Sequence, residues 1–198
     1  MSGKAIVAGG SVGGLFAAAA LMKAGWNVTV CERTEVELKG RGAGIVTHPE
    51  LLDALVSVGA DTHDLGVAVE ERVAYDIDGE VVRRIPFPQV VTSWDRIHRL
   101  LRVLIPEGSH RLGRCVTGYE DTGDAVHVIF DDGASETADL LVGADGFRSA
   151  VRGRMQPDVQ PEYSGYVVWR ALADEASLSP AVHERIFDAF GFFLPRGT

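Results

Sequence analysis

The stretch KAIVAGGSVGGL at residues 4–15 decides the fold of this chain. Its first five residues form an apolar run typical of a buried strand, and the glycines at 9–14 predict a tight turn. Residues 15–25 have the alanine-rich composition of a closely packed helix that stops at Gly25. Residues 26–31 alternate with β-branched side chains, which indicates the second strand of a β-α-β unit.

The turn has the composition of a dinucleotide-binding loop. Gly9 permits the sharp turn, and Gly14 lets the helix pack closely against the strand. The middle position, usually glycine, is Ser11, whose hydroxyl can still meet a phosphate oxygen. Free N–H groups and the helix dipole favour a phosphate at this N-terminus. We therefore predict that Gly9, Ser11, Val12, Gly13 and Gly14 bind a cofactor.

An acidic residue supports this interpretation. Glu32 lies roughly 20 residues beyond the turn, at the C-terminal end of the predicted second strand. A carboxylate there can accept hydrogen bonds from an adenosine ribose and would repel a 2′-phosphate, so FAD or NAD fits this site and NADP does not. The alternative is a glycine-rich strand–helix junction with a surface glutamate.

The overall composition excludes several classes of partner. Hydrophobic residues make up 46% of the 198 residues, as in a globular protein, and the net charge of −9 disfavours nucleic acid or an anionic membrane surface. Glycines interrupt the apolar run at residues 5–22, which argues against a membrane span and for a cytoplasmic protein. Cys31 and Cys115 belong to no CxxC or Cys/His cluster, so we predict buried thiols and no metal site.

The rest of the chain predicts further helices and strands. Amphipathic helices are expected at residues 48–58 and 93–105, the second with Ser93 as its N-cap. Residues 73–77 and 81–85, joined across Asp78-Gly79, predict a β-hairpin. Residues 114–120 and 125–130 predict a meander that turns at Asp132-Gly133, and two more strands are expected at residues 140–142 and 163–173.

Four segments resemble one known family. Residues 9–15, 31–33, 42–45 and above all 139–152 (DLLVGADGFRSAVR) resemble the class A FAD-dependent aromatic hydroxylases, which have the para-hydroxybenzoate hydroxylase fold. Within that family, residues 44–51 and 163–170 are most similar to the 2,6-dihydroxypyridine 3-hydroxylase group. The alternative for the fourth segment is a strand, a β-turn at Asp145-Gly146 and a helix capped by Ser149.

The resemblance implies a fold and a domain division. It implies an α/β fold, with a Rossmann-like FAD-binding domain containing a mixed sheet and the start of a β-sheet substrate domain. The first would comprise residues 1–72 and 90–160, and the second residues 73–89 and 161–198. The family's second FAD motif, a Gly-Asp pair, lies in its C-terminal half, and this chain stops in an apolar region, so we expect C-terminal truncation.

The resemblance also implies an activity. NADH or NADPH would reduce FAD, which would react with O2 to form a C4a-hydroperoxide that hydroxylates a hydroxypyridine or a related hydroxyaromatic compound. The family's habit suggests a homodimer. Two alternatives stay open: another FAD oxidoreductase, such as a reductase or an amine oxidase, and an FAD-binding module without turnover.

Individual site residues follow from the same resemblance. Arg33 and Arg41 would contact the ribose or adenine and the pyrophosphate, since a guanidinium suits phosphate. Gly44 belongs to the glycine-rich loop expected beside the flavin ring, Val116 would meet the adenine through its backbone, and Asp145 would bind a ribityl hydroxyl or organise water. Many family members place an FAD-contacting arginine where this chain has Trp94.

His48 is the candidate catalytic base. It follows the glycine-rich loop and begins a predicted helix, whose N-terminus lowers the pKa of a histidine and favours its neutral form. A neutral imidazole could take a proton from a substrate hydroxyl. The alternative is a surface histidine in the first turn of the helix.

Overall fold

The computed structural model describes residues 3–38, 40, 44–187 and 189–194. The helices over these residues are α1 (Val12–Lys23), α2 (Pro49–Ser57), α3 (Trp94–Arg102), α4 (Ala150–Met155) and α5 (Pro180–Ile186). The strands are β1 (Lys4–Ala8), β2 (Asn27–Glu32), β3 (Gly44–Val46), β4 (Val67–Tyr75), β5 (Val81–Ser93), β6 (His110–Leu112), β7 (Val116–Asp121), β8 (Val126–Phe130), β9 (Ser135–Ala138), β10 (Leu140–Gly143) and β11 (Ala189–Phe193).

A parallel sheet with the strand order β10-β1-β2-β6 forms the centre of the fold. Both of its faces are covered, as a parallel sheet requires. Because side chains alternate along a strand, Ala5 and Val7 of β1 join one core while Ile6 and Ala8 join the other. This sheet brings the C-terminal ends of β1, β2 and β10 together at one edge.

Different layers cover the two faces. Helices α1 and α3 pack on one face, where Leu15, Ile97 and Leu101 are buried with β1 and β2. The antiparallel sheet β7-β8-β9 covers the other face, with Val128 and Phe130 in its core. The expected α/β fold is therefore confirmed, and the predicted meander forms one of its layers.

A second, mixed sheet has the strand order β11-β4-β5-β3. Strands β4 and β5 form the predicted hairpin, but both are longer than predicted, and β5 continues directly into α3. The hairpin turn is stabilised by Asp76, whose carboxylate accepts hydrogen bonds from the N–H groups of Asp78 and Glu80 at 2.9 Å. Ser93 caps α3 as predicted, because its hydroxyl accepts the Arg96 N–H at 3.1 Å.

The prediction of a strand at residues 163–173 is wrong. These residues have no regular secondary structure in the described chain, and Trp169 is 93% exposed. A strand needs a neighbour for its backbone hydrogen bonds, and the described residues place none beside this segment. Helix α5 and strand β11 were not predicted, and β11 pairs in parallel with β4.

Candidate cofactor site

A cavity of about 500 Å³ opens at the C-terminal edge of the parallel sheet. Ligands of open α/β sheets bind at this edge. The lining comes from the ends of β1, β2 and β10 and from the segment entering β7. It comprises Ala8, Gly9, Ser11, Cys31, Glu32, Arg33, Thr34, Leu38, Trp94, Arg114, Cys115, Val116, Thr117, Ala144, Asp145, Gly146, Arg148 and Ala150.

Two positions of the turn require glycine. Gly9 has a φ of +108°, and a Cβ there would lie 2.3 Å from the carbonyl oxygen of Ala144. A Cβ on Gly14 would lie 1.9 Å from the carbonyl oxygen of Gly9, so only glycine allows α1 to start this close to the strand. The Gly9 N–H donates to the Cys31 carbonyl at 2.8 Å, which ties the turn to β2.

The N-terminus of α1 is suited to an anion. Among the described residues, the N-cap Ser11 makes no side-chain hydrogen bond to the first turn, which contains no acidic residue. The first N–H groups of a helix lack intrahelical partners and carry the positive end of its dipole. No described atom lies within 4 Å of the position of a Cβ on Gly13, so ligand can approach the backbone closely there.

Glu32 organises the turn as well as lining the cavity. It is only 6% exposed, and its Oε2 accepts the Gly10 N–H at 2.8 Å. Its Oε1 accepts the Thr34 N–H at 3.0 Å and the Thr34 hydroxyl at 3.1 Å. A carboxylate has about four lone-pair sites, so these contacts leave capacity for roughly one more hydrogen bond from a ligand.

Asp145 lies just beyond the C-terminal end of β10 and caps α4. Its carboxylate accepts the Ser149 hydroxyl at 2.5 Å and the Ala150 N–H at 2.7 Å, while Ser149 accepts the Arg152 N–H at 2.9 Å. The alternative interpretation of a capped helix is therefore correct in its geometry. Asp145 also lines the cavity, so the two interpretations describe one residue.

The cavity concentrates positive charge in an acidic protein. Arg33, Arg114 and Arg148 line it together with two acids, Glu32 and Asp145. The acids are hydrogen-bonded by the protein's own groups, and Arg114 is paired with Asp132. This arrangement favours a pyrophosphate. Arg41, the second predicted arginine contact, lies outside the described residues.

Sequence reasoning missed several lining residues. Arg114 pairs with Asp132 and lies 4.0 Å over the Phe130 ring, so its place is set by the meander. Arg148 belongs to the DGFRS run of residues 145–149, and this motif is the sequence signal that could have identified it as a lining residue. Leu38 and Thr117 reach the cavity through sheet and helix packing, which no local pattern indicates, whereas Trp94 lies there at the position where the resemblance implies an FAD-contacting arginine.

Val116 lines the cavity, whereas five other predicted residues are outside its lining over the described residues: Val12, Gly13, Gly14, Gly44 and His48. Gly44 begins β3 and pairs with Ser93. The structure therefore brings the glycine turn, Glu32, Arg33, Val116 and Asp145 together and leaves Gly44 and His48 apart from them.

His48 lies beside a second cavity of about 520 Å³, lined also by Leu52, Val69 and Phe87. Its side chain is 61% exposed and caps α2. The Nδ1 atom lies 2.9 Å from Glu50 Oε2 and 3.3 Å from the Leu51 nitrogen. These contacts are alternatives, because Nδ1 either carries a proton for Glu50 or accepts the Leu51 N–H.

Both cysteines line the first cavity and are free thiols. Burial raises the pKa of Cys31 to about 11, and burial also raises the pKa of Cys115. Both therefore stay protonated at neutral pH, and we assign them no redox role in the site.

This geometry, a glycine turn against an acidic strand end beneath an arginine-lined cavity, is that of a dinucleotide site. Residues 3–190 match the FAD binding domain family. The chain belongs to this family.

Relatives and solved structures define the similarity more closely. The chain is 34% identical over 189 residues to 2,6-dihydroxypyridine 3-monooxygenase of Paenarthrobacter nicotinovorans. The aligned region covers 95% of this chain and 47% of that protein. The structure of 2,6-dihydroxypyridine-3-hydroxylase from Arthrobacter nicotinovorans superposes with a TM-score of 0.88 at 32% identity, over 98% of this chain and 50% of that one. Klebsiella pneumoniae HpxO complexed with FAD and uric acid gives a TM-score of 0.67 at 30% identity, over 76% and 41% of the two chains.

These similarities confirm the resemblance to the class A FAD-dependent hydroxylases. The chain spans about half the length of the curated relatives it matches. Among the described helices, none is long and apolar enough to cross a membrane. In the part of the chain that the structure describes, no group of three or more His, Cys, Asp or Glu side chains could hold a metal ion.

Proposed function

We propose that this protein is an FAD-dependent monooxygenase that uses NADH or NADPH and O2 to hydroxylate a hydroxypyridine or a related hydroxyaromatic compound. The observation that carries the proposal is the cavity at the C-terminal edge of the parallel sheet, in a chain whose fold matches a dihydroxypyridine hydroxylase over nearly all of its length. FAD, when bound, supplies the redox chemistry with NAD(P)H and O2, and the protein supplies orientation and electrostatics.

The residues present fit FAD. In the proposal, the N-terminus of α1 with Gly9, Ser11, Val12, Gly13 and Gly14 holds the pyrophosphate. Gly9 and Gly14 let the turn and the helix pack closely on the strand, because Cβ atoms there would meet backbone oxygens, and the open space at Gly13 leaves room for a phosphate to approach the backbone.

Charged and backbone groups of the lining hold the rest. Glu32 offers its remaining acceptor site to the ribose, and Arg33 reaches the ribose or adenine from the same strand end. The Val116 backbone meets the adenine, and Asp145 contacts a ribityl hydroxyl or a water while it caps α4.

His48 is proposed as the base for the substrate hydroxyl. Pairing of its Nδ1–H with Glu50 Oε2, 2.9 Å away, would leave Nε2 free to accept a proton. The apolar side chains beside it in the second cavity, including Phe87 and Leu52, suit a flat aromatic ring.

The domain division is part of the proposal. Residues 1–72 and 90–160 would form the FAD-binding domain, and residues 73–89 and 161–198 would belong to the substrate domain. The β4–β5 hairpin lies in a sheet separate from the parallel one, which agrees with this division in part. The same sheet also contains β3 and the outer ends of β4 and β5, which the division assigns to the FAD-binding domain.

The test measures NADH and NADPH oxidation by the FAD-loaded protein with a panel of hydroxypyridines and phenols. The proposal expects substrate-stimulated oxidation, O2 consumption and a product heavier by one oxygen atom. Oxidation without an oxygenated product would indicate another FAD oxidoreductase. Bound FAD without any turnover would indicate a binding module.

A further inference from the structure

Trp94 and His98 form a stacked pair between the cavity and the glycine turn. The two rings are 4.8 Å apart between centroids and inclined by 19°. Trp94 is the first residue of α3 and lines the cofactor cavity, whereas His98, one turn later, is only 2% exposed. One ring is therefore open to a ligand, and the ring beneath it is inside the core.

His98 holds the turn through its backbone. Its Nε2 atom lies 3.1 Å from the Gly10 carbonyl oxygen in a buried contact. A carbonyl oxygen only accepts, so Nε2 carries the proton and donates it. Gly10 is thereby held at both backbone groups, since its N–H donates to Glu32 at 2.8 Å.

The surroundings of Gly10 leave it little freedom. A Cβ at this position would lie 2.8 Å from His110 Nε2 and 2.9 Å from the Glu32 Cβ. Gly10 directly precedes Ser11, the N-cap of α1, so its orientation sets the direction of the first N–H groups of the helix. A continuous series of contacts thus joins Trp94 to His98, Gly10 and Glu32. The first and last residues of this series line the cavity.

We propose that Trp94 is a cofactor-contacting residue and that His98 is a positioning residue, so that a contact on the Trp94 ring is coupled through His98 and Gly10 to the pyrophosphate turn. This inference rests on the proposed function, because it takes FAD as the ligand of the cavity. Where related proteins would use an arginine charge, this chain presents an aromatic surface, and the charge in the cavity comes from Arg33, Arg114 and Arg148 instead.

The test measures FAD and ADP dissociation constants by fluorescence and calorimetry for Trp94→Ala and Trp94→Phe. Trp169→Ala is the matched control, because Trp169 is 93% exposed and lies outside the cavity lining over the described residues. Trp94→Ala is expected to weaken FAD binding about tenfold, since an aromatic contact and its buried area are lost. Trp94→Phe, which keeps a ring for the stack, should stay within about threefold, and the control should be unchanged.

His98 is tested by His98→Leu and His98→Gln. The leucine removes the donor and should weaken both FAD and ADP about tenfold, while glutamine can donate to the Gly10 oxygen and should restore much of the affinity. A double-mutant cycle of Trp94→Ala with His98→Leu should give a combined loss smaller than the product of the single losses, because both changes break one series.

The outcomes separate this inference from the proposed function. If the parent protein binds FAD and Trp94→Ala binds it equally well, the inference is wrong and the cofactor assignment stands. Equal affinities for His98→Leu and the parent would likewise overturn the positioning role. If the folded parent takes up no FAD, both the inference and the proposed function are wrong.

Discussion

The Gly10 N–H and the Glu32 carboxylate are joined by a buried hydrogen bond of 2.8 Å. This bond fixes the glycine turn to the end of β2 before any ligand binds. The residue that the sequence suggested for the ribose therefore also has a structural role.

Glu32→Ala should destabilise the protein and weaken FAD binding. It removes the acceptor of the buried Gly10 N–H and of the partly buried Thr34 N–H, and an unpaired buried donor costs about 1–3 kcal/mol. Denaturant unfolding should show a loss of about 2–3 kcal/mol. Glu35→Ala, at an exposed neighbour, is the control, and equal stability of the two variants would contradict the structural role.

Gly13→Ala and Gly14→Ala should have opposite effects on the protein without cofactor. The Gly14 change forces a Cβ to 1.9 Å from a backbone oxygen and should cost about 1–3 kcal/mol or more. The Gly13 change meets no described atom within 4 Å and should raise stability by about 0.5 kcal/mol. Because we propose that the pyrophosphate lies against the first turn of α1, which contains Gly13, the alanine variant should nevertheless bind FAD more weakly.

Denaturation curves and FAD titrations of both variants check this pair. A Gly13→Ala protein that is more stable and also binds FAD as tightly as the parent would argue against a pyrophosphate at this turn. A stable Gly14→Ala protein would contradict the close packing.

His110 should make the protein less stable in mild acid. Both its ring nitrogens lack a hydrogen-bond partner among the described residues, and burial lowers its pKa below 6.5. The unfolded state therefore takes up the proton first as pH falls below 6.5, so the free energy of unfolding decreases from that pH downward until the folded-state pKa is passed. At higher pH His110 is neutral in both the folded and the unfolded state, so it does not make the free energy of unfolding depend on pH.

The check compares the parent and His110→Leu between pH 8 and pH 5. The variant should lose less stability over this interval, and His63→Leu, at an exposed histidine, should follow the parent. Parallel curves for the parent and the His110 variant would refute the role of burial.

Cys115 should be alkylated before Cys31, and FAD should slow its reaction. Both thiols line the cavity, but Cys31 is buried with a pKa of about 11, whereas Cys115 is partly exposed. The thiolate is the reactive form, so the rates should rise with pH above 9. Mass spectrometry of peptides with and without FAD measures this, with Cys31→Ser as the control; no protection by saturating FAD would place the cofactor elsewhere.

The sequence predicted those parts of the fold that depend on residues close together along the chain. The β1–α1–β2 unit and the Ser93 cap depend on residues close in sequence, and both are confirmed. The predicted strand at 163–173 failed because an apolar, β-branched run still requires a partner strand. Arg114 reaches the cavity only through the packing of the meander, which spacing along the chain does not reveal, and Trp94 was marked only by the resemblance.

Prediction of the site from local sequence has the same limit. Glu32 was found by its position at a strand end and Asp145 by the resemblance of residues 139–152, but their hydrogen bonds to Gly10 and Ala150 depend on how the turns fold back. The His98 contact with Gly10 joins residues far apart in sequence, so it became visible only in the structure.

Binding of FAD in this cavity can be measured by titrating the cofactor-free protein with FAD and following the titration by calorimetry and by flavin fluorescence. The account predicts saturable binding of one FAD per chain, competition by ADP, and weaker binding by Glu32→Ala and Gly13→Ala. A folded protein that shows no saturable FAD binding, or binding indifferent to both substitutions, would contradict it.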